Sequence, residues 1–257
     1  MNASERRQQI VELLNMKGTV LVSDLSEQFN VSEVTTRTDL RLLEKQGVLT
    51  RFHGGATKIM NNGDLKSFKE LQLEERYQRF IEAKKRIAIE AVKHVKEDDT
   101  IILDSGSTTM LIAEELVKLK HITVITNSLT SAFILSDNSD IMLFMCGGTL
   151  RHKTRSFHGK IAEQSLTGIS ADILFVGADG IDAKRGITTF NEGYTISSVM
   201  ANVAKNVIAV LDSSKFGRNG INVVLPLSQL DTIITDTDVD SSCKQEFVAK
   251  GISLIAV

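Results

Sequence analysis

SDLSEQFNVSEVTTRTDLRLLEKQG (residues 23–47) reads as two helices joined by a turn. Ser23 is a good N-cap for the first, and Val22, Leu25 and Phe29 give it one apolar stripe. Asn30–Val31 is a tight turn. Ser32 caps the second helix, which Gly47 ends. Setting its residues about 100° apart puts Thr36, Leu40 and Leu43 on one side and Val34, Arg37, Thr38, Arg41 and Lys45 on the other. The first side is a core face, where a threonine at 36 should cost some packing. The second is cationic, with small hydroxyl and methyl groups. Arginine suits guanine edges and phosphates; threonine suits phosphates and the thymine methyl.

A solvated charged face is the plain reading of any one such helix. The flanks decide against it. Residues 4–17 form an earlier helix with Ile10, Val11, Leu13 and Leu14 inside, ended by Gly18. After Gly47 comes VLTRFHGGATKI (48–59), a strand, a Gly54–Gly55 turn and a return, carrying Arg51, His53 and Lys58. Three helices and a basic hairpin in this order make a winged helix-turn-helix. Its candidate DNA contacts are Ser32, Val34, Thr35, Arg37, Thr38, Arg41, Arg51 and His53. His53 either touches a phosphate or orders the wing.

Beyond residue 60 the polar stretch Asn61–Gly63 reads as a hinge, and 65–95 as one charged, periodic helix whose stripe includes Leu73, Tyr77, Phe80 and Ile87. After residue 99 short β-branched runs recur at 100–104, 122–126, 141–146, 172–178, 206–212, 231–236 and 252–257, with helical stretches such as 110–120, 194–205 and 241–250 between them. Near-continuous apolar strands alternating with helices predict a Rossmann-like, mostly parallel sheet covered on both faces. The fold class is α/β. The expected division is a DNA-binding domain over 1–60, a linker region over 61–82 and an effector domain over 83–257.

The effector domain's candidate site lies in turns after strands, where an open parallel sheet has its ligand crevice. Asp104, Ser105, Gly106, Ser107, Thr108 and Thr109 combine a flexible glycine and hydroxyls at a helix start, a phosphate-binding arrangement. No Gly-Lys-Ser/Thr ending follows, so a nucleoside triphosphate is not implied. Asn127 and Ser128 lie in a second turn; Gly147, Gly148 and Arg151 in a third. Asp179, in GADGID, orders a polyol or braces a turn. Lys215, in DSSKFG, offers a cation to a phosphate. Asn191 and Glu192, in TTFNE, are further rim residues.

Composition narrows the classes. The 257 residues, 42% apolar and 24% charged, suit two globular domains. A net charge of −2 argues against a polyanion-coating protein but not against a local basic face. No run is long and apolar enough for a membrane span, and MNASERRQQIVELL lacks a signal-peptide core, so a cytoplasmic location is expected. Cys146 and Cys243 stand far apart, and the five histidines show neither an i, i+4 pair nor HExxH. No metal or other cofactor is expected.

The stretches SERRQQIVELL and GTVLVSDLSEQFNVSEVTTRTDLRLLEKQGVLTRFHGGA resemble the N-terminal signature of the DeoR family of bacterial sugar-catabolism repressors. ILDSGSTT, TNS, GGTLR, SFHG, GADGID, TTFNE and DSSKFGR resemble its effector domain, whose fold is similar to ribose-5-phosphate isomerase type folds. The resemblance implies a repressor that binds double-stranded operator DNA as a homo-oligomer, dimer or tetramer, and senses a phosphorylated sugar or hexitol. The alternative is a sugar-phosphate isomerase-like enzyme with an accessory N-terminal domain. Related isomerases carry a glutamate where Gly180 stands, and its loss favours the sensor.

Overall fold

The computed structural model describes residues 3–17, 19–45, 48–52, 55–58, 72–189, 196–218, 220 and 222–257. Gly18, Gly47, His53, Gly54, the 61–63 hinge, Asn191 and Glu192 lie outside them. The chain forms two compact units, Met1–Lys69 and Glu70–Val257.

The first unit runs α1 (Ala3–Lys17), β1 (Thr19–Leu21), α2 (Val22–Phe29), α3 (Glu33–Lys45), β2 (Leu49–Phe52) and β3 (Gly55–Lys58). The helix α2 begins at Val22, so Ser23 sits in its first turn rather than before it. Asn30 takes a left-handed conformation (φ 49°), which asparagine tolerates, and the Val31 amide returns to the Ser26 carbonyl. The wing is three-stranded, not a lone hairpin: β1 pairs antiparallel with β3, which pairs with β2. Ile10, Leu14, Val20, Val22, Leu25, Leu40, Leu43, Leu49 and Ala56 form its core.

The second unit opens with α4 (Leu73–Gln78) and α5 (Ile81–Val92). Over the described residues these take the place of the single helix expected over 65–95, whose first part, 65–71, lies outside them. Phe80 breaks it with φ 54° and is exposed, while the inward position goes to Lys84. The Lys84 ammonium donates to the carbonyls of Arg76 and Arg79, groups that the end of α4 leaves unpaired. Burial pulls that ammonium down to about 8, against the opposing pull of Asp212.

Then follow β4 (Thr100–Leu103), α6 (Ser107–Leu116), β5 (Ile122–Thr126), α7 (Leu129–Leu135), β6 (Ile141–Met145), β7 (Thr149–Arg151), β8 (Ser156–His158), α8 (Lys160–Gln164) and β9 (Ala171–Val176). The chain continues through β10 (Gly180–Asp182), β11 (Gly186–Thr189), α9 (Ile196–Asn202), β12 (Ala204–Val210), β13 (Asn222–Leu225), β14 (Thr232–Thr235), α10 (Ser241–Val248) and β15 (Ser253–Ala256). All seven expected runs join one parallel sheet in the order β15-β14-β12-β9-β4-β5-β6.

Alternation along the strands separates two cores. Ile102, Leu174, Val176, Ala209 and Ile233 face one way, with Met200 and Phe247. Ile101, Leu103, Ile173, Phe175, Ile208, Val210 and Ile234 face the other, with Ile87, Ile112 and Leu116. From β4 the chain first adds strands on one side and then crosses to β9 on the other. The gap between β4 and β9 is therefore the switch point, where the loops after both strands diverge and leave a crevice. Two small antiparallel sheets, β10-β11-β13 and β7-β8, complete the unit. They hold residues expected in turns: Arg151 lies on β7, and Gly180 and Asp182 on β10.

Candidate functional site

On the cationic face of α3, Val34, Arg37 and Arg41 are exposed and Thr38 is part-exposed. The Ser32 hydroxyl accepts from the Thr35 amide at 3.2 Å and starts the helix. Val34 is 70% exposed, a methyl-bearing side chain facing solvent. Arg37 reaches back to Glu33 at 2.6 Å, both about half exposed, and the Thr38 hydroxyl donates to the Val34 carbonyl. Arg41 is exposed, and Arg51 falls on β2. Exchanging an exposed i, i+4 partner for a phosphate costs little.

The opposite face differs from the expected one. Thr36 is buried, yet its hydroxyl meets Ser26 Oγ at 2.9 Å, linking α3 to α2, so the expected packing cost is offset by a hydrogen bond. Asp39 is also buried and holds Arg6 Nε at 2.6 Å and Arg7 Nη1 at 3.5 Å. No helical-face count signals that pair.

In the second unit an open cleft of about 580 Å³, bulk solvent at its mouth included, lies at the switch point. Asp104 and Ser105 enter from the end of β4, and Gly177, Ala178 and Asp179 from the end of β9. Arg76, Thr154, His158, Thr188, Thr189 and Ser197 complete its polar wall. Burial pushes the Asp104 carboxyl up to about 6, although Ser197 Oγ and the Ser105 amide both donate to it at 2.7 Å. Asp179 meets Arg76 at 3.2 Å and accepts from Thr189 Oγ1 at 2.7 Å.

Other expected residues stand one step away. Ser107, Thr108 and Thr109 are buried, and the Thr109 hydroxyl donates to the Gly106 carbonyl. Asn127 is fully buried and fastens β8 through the Phe157 carbonyl at 3.1 Å, while Ser128 caps α7. Asn127 thereby holds the β7–β8 hairpin, and Ser128 adds a backbone bridge to Ser156; within the hairpin Thr154, Ser156 and His158 form a chain with 2.7 Å contacts. Arg151 joins that chain through Thr154 Oγ1 at 3.4 Å. Gly147 lies before the hairpin. Gly148 has φ 121°, and a Cβ there would stand 2.5 Å from the His158 carbonyl oxygen. Lys215 ends the short turn Ser213–Lys215; burial lowers its ammonium, Asp212 opposes this, and Arg76, Arg218 and Asp179 also act on it.

Arg76, Thr154, His158, Thr188, Thr189 and Ser197 were not singled out in the sequence. His158, Thr188 and Thr189 lie inside the quoted SFHG and TTFNE segments; Arg76 carries no motif. A Cβ on Gly180 would stand 2.0 Å from the Arg218 carbonyl oxygen, so the glutamate of the isomerase reading has no room. Among the described residues, no group of three His, Cys, Asp or Glu is placed to hold a metal ion, and no helix is long and apolar enough to cross a membrane.

A winged helix-turn-helix joined to an α/β unit with a switch-point cleft defines a DNA-binding regulator with a sensor domain. Residues 6–61 match the DeoR-like helix-turn-helix domain and residues 79–237 the DeoR C terminal sensor domain. The chain belongs to the DeoR family and is a transcriptional repressor, not an enzyme. It is 37% identical, over 99% of its length and 94% of the relative's, to a protein of Escherichia coli O157:H7 named for transcriptional repression of the aga operon. It is 36% identical, over 95% and 96%, to the lactose phosphotransferase system repressor of Streptococcus mutans. Among solved structures, the full-length sorbitol operon regulator SorC from Klebsiella pneumoniae aligns over 96% of this chain and 99% of its own, at 10% identity and a TM-score of 0.39. Ribose 5-phosphate isomerase A from Methanocaldococcus jannaschii aligns over 52% and 53%, at 24% identity and a TM-score of 0.39.

Proposed function

We propose that this repressor controls a sugar- or hexitol-catabolic operon in the cytoplasm and leaves its operator when a phosphorylated sugar or hexitol enters the switch-point cleft. The observation that carries the reading is the cleft itself. Carboxylates from two adjacent strand ends stand beside an arginine and several hydroxyls, a lining suited to a ligand with one anionic group and many hydroxyls. The names of the relatives support the operon class. MNASERRQQIVELLNMKGTVLVSDL and RFHGGATKIM resemble the galactitol utilisation operon repressor of enteric bacteria, which points to galactitol 1-phosphate or a tagatose phosphate.

A dimer or tetramer of the chain sets two α3 helices on operator half-sites, with Ser32, Val34, Thr35, Arg37, Thr38 and Arg41 toward the groove and Arg51 and His53 in the wing. Ligand that prefers the DNA-free state by about 1–3 kcal/mol weakens operator binding about 5–150-fold. Thermal unfolding of the full chain with galactitol 1-phosphate, tagatose 6-phosphate and unphosphorylated galactitol tests the reading. The phosphorylated compounds should raise the midpoint and release operator DNA in a gel shift. No shift with either at millimolar concentration overturns it.

A further inference from the structure

We propose that Arg76 is the specificity-determining residue of the cleft: it takes the effector's anionic group in exchange for Asp179, and α4 shifts with the exchange. The inference rests on the reading of the cleft as an effector site.

Among the described residues that line the cleft, Arg76 carries the one permanent positive charge. Asp104 and Asp179 repel an entering anion, so among the lining residues Arg76 is the group that meets its charge. The guanidinium is a fork that fits a phosphate through two donors. Its present contact with Asp179, at 3.2 Å, is longer than a strong charge-assisted bond of about 2.7–2.9 Å. Exchange does not orphan Asp179. Its other oxygen accepts from Thr189 Oγ1 at 2.7 Å, and the oxygen given up by Arg76 becomes an acceptor for a ligand hydroxyl.

Arg76 also couples the ligand to a helix that cannot hold itself. Six residues are too few for a stable isolated helix, so α4 depends on its attachments. Lys84 holds its last carbonyls, including that of Arg76. The Tyr77 hydroxyl donates to Glu114 at 3.2 Å. At its start the Leu73 amide donates to the Lys153 carbonyl at 3.2 Å, and Glu74 pairs with Arg155. Lys153 and Arg155 flank Thr154, which lines the same cleft. The attachments of α4 and the ligand site are thus one wall. α4 is also the first described element after the N-terminal unit along the chain, so a shift there has the shortest covalent route to it.

The test compares Arg76→Ala, Arg76→Lys and Asp179→Asn with the wild-type full chain. Operator release is followed by fluorescence anisotropy, each variant referred to its own operator affinity, with inorganic phosphate, galactitol 1-phosphate, tagatose 6-phosphate and galactitol as probes. Arg76→Ala should need at least about 10-fold more galactitol 1-phosphate, and Arg76→Lys should recover part of the response. Asp179→Asn keeps an acceptor for Thr189 but removes the competing charge, and should respond at lower concentrations of galactitol 1-phosphate and of inorganic phosphate. Release of Arg76→Ala at the wild-type concentration, or a weaker response from Asp179→Asn, overturns the exchange while leaving the effector site standing. A wild-type chain that responds to neither sugar phosphate removes the site and the exchange together.

Discussion

Each unit of the molecule holds an inward arginine–aspartate pair, and the two are built differently. In the N-terminal unit Arg6 meets Asp39 at 2.6 Å, with side chains 10% and 4% exposed, and Arg7 adds a second cation. Both arginines come from α1 and the carboxylate from α3, so the group clamps one helix onto the back of the other. In the sensor unit Arg76 and Asp179 stand 3.2 Å apart, 16% and 12% exposed, and both line an open cleft. The ionic chemistry is shared. Access is not: a carboxylate already enclosed by two guanidinium groups leaves no position for a ligand, whereas a pair that lines an open cleft can be reached by one.

The sharpest way to break this comparison is to remove the enclosed carboxylate. Asp39→Ala strands Arg6, and the loss of one partner from a buried pair costs about 3–5 kcal/mol. Urea unfolding of the full chain, with operator affinity measured in parallel, should show the N-terminal transition move and DNA binding fail. A loss under about 1 kcal/mol would mean that the pair is no clamp.

The open cleft should behave in the opposite sense. The folded-state value of Asp104, about 6, lies above its ordinary 3.8, so its ionised form opposes folding. Its favourable contribution is complete below about 3.8 and is lost as pH rises through about 6. The sensor unit should therefore grow more stable as pH falls from 7 toward 5. Asp104→Asn should flatten that dependence and stabilise the unit at pH 7 by at most about 3 kcal/mol. Equal slopes for the two proteins between pH 5 and 7 would falsify the assignment.

The smallest effect belongs to the exposed face of α3. Arg37→Ala should remove about 1–3 kcal/mol of operator affinity, read by anisotropy at fixed salt, and leave the effector-induced thermal shift in place. A fall of effector affinity by the same factor would contradict the separation of DNA reading from ligand sensing.

The differences between expectation and structure follow from particular residues. The expected long helix breaks at Phe80, and the break supplies the free carbonyls of Arg76 and Arg79 that Lys84, a lysine inside an apolar stripe, takes as acceptors. The strands β7, β8 and β10 have three residues each, too few to show a period of two. Thr36 looks like a compromise along α3, and Asp39 falls on neither of its two named faces, yet Ser26 and Arg6, from other helices, make both of them inward groups.

The amino-acid sequence by itself determined the three helices, the wing and the seven parallel strands, together with the two turns that supply Asp104 and Asp179. Caps, glycines and apolar periods act over a few residues, so they are written where they act. Only the tertiary structure decided that β4 lies beside β9, and that this brings Arg76, Thr154, His158 and Ser197 to one cleft. It also decided that Gly180 must stay a glycine against the Arg218 backbone. Those facts depend on which distant segments become neighbours, and no spacing along the chain encodes that.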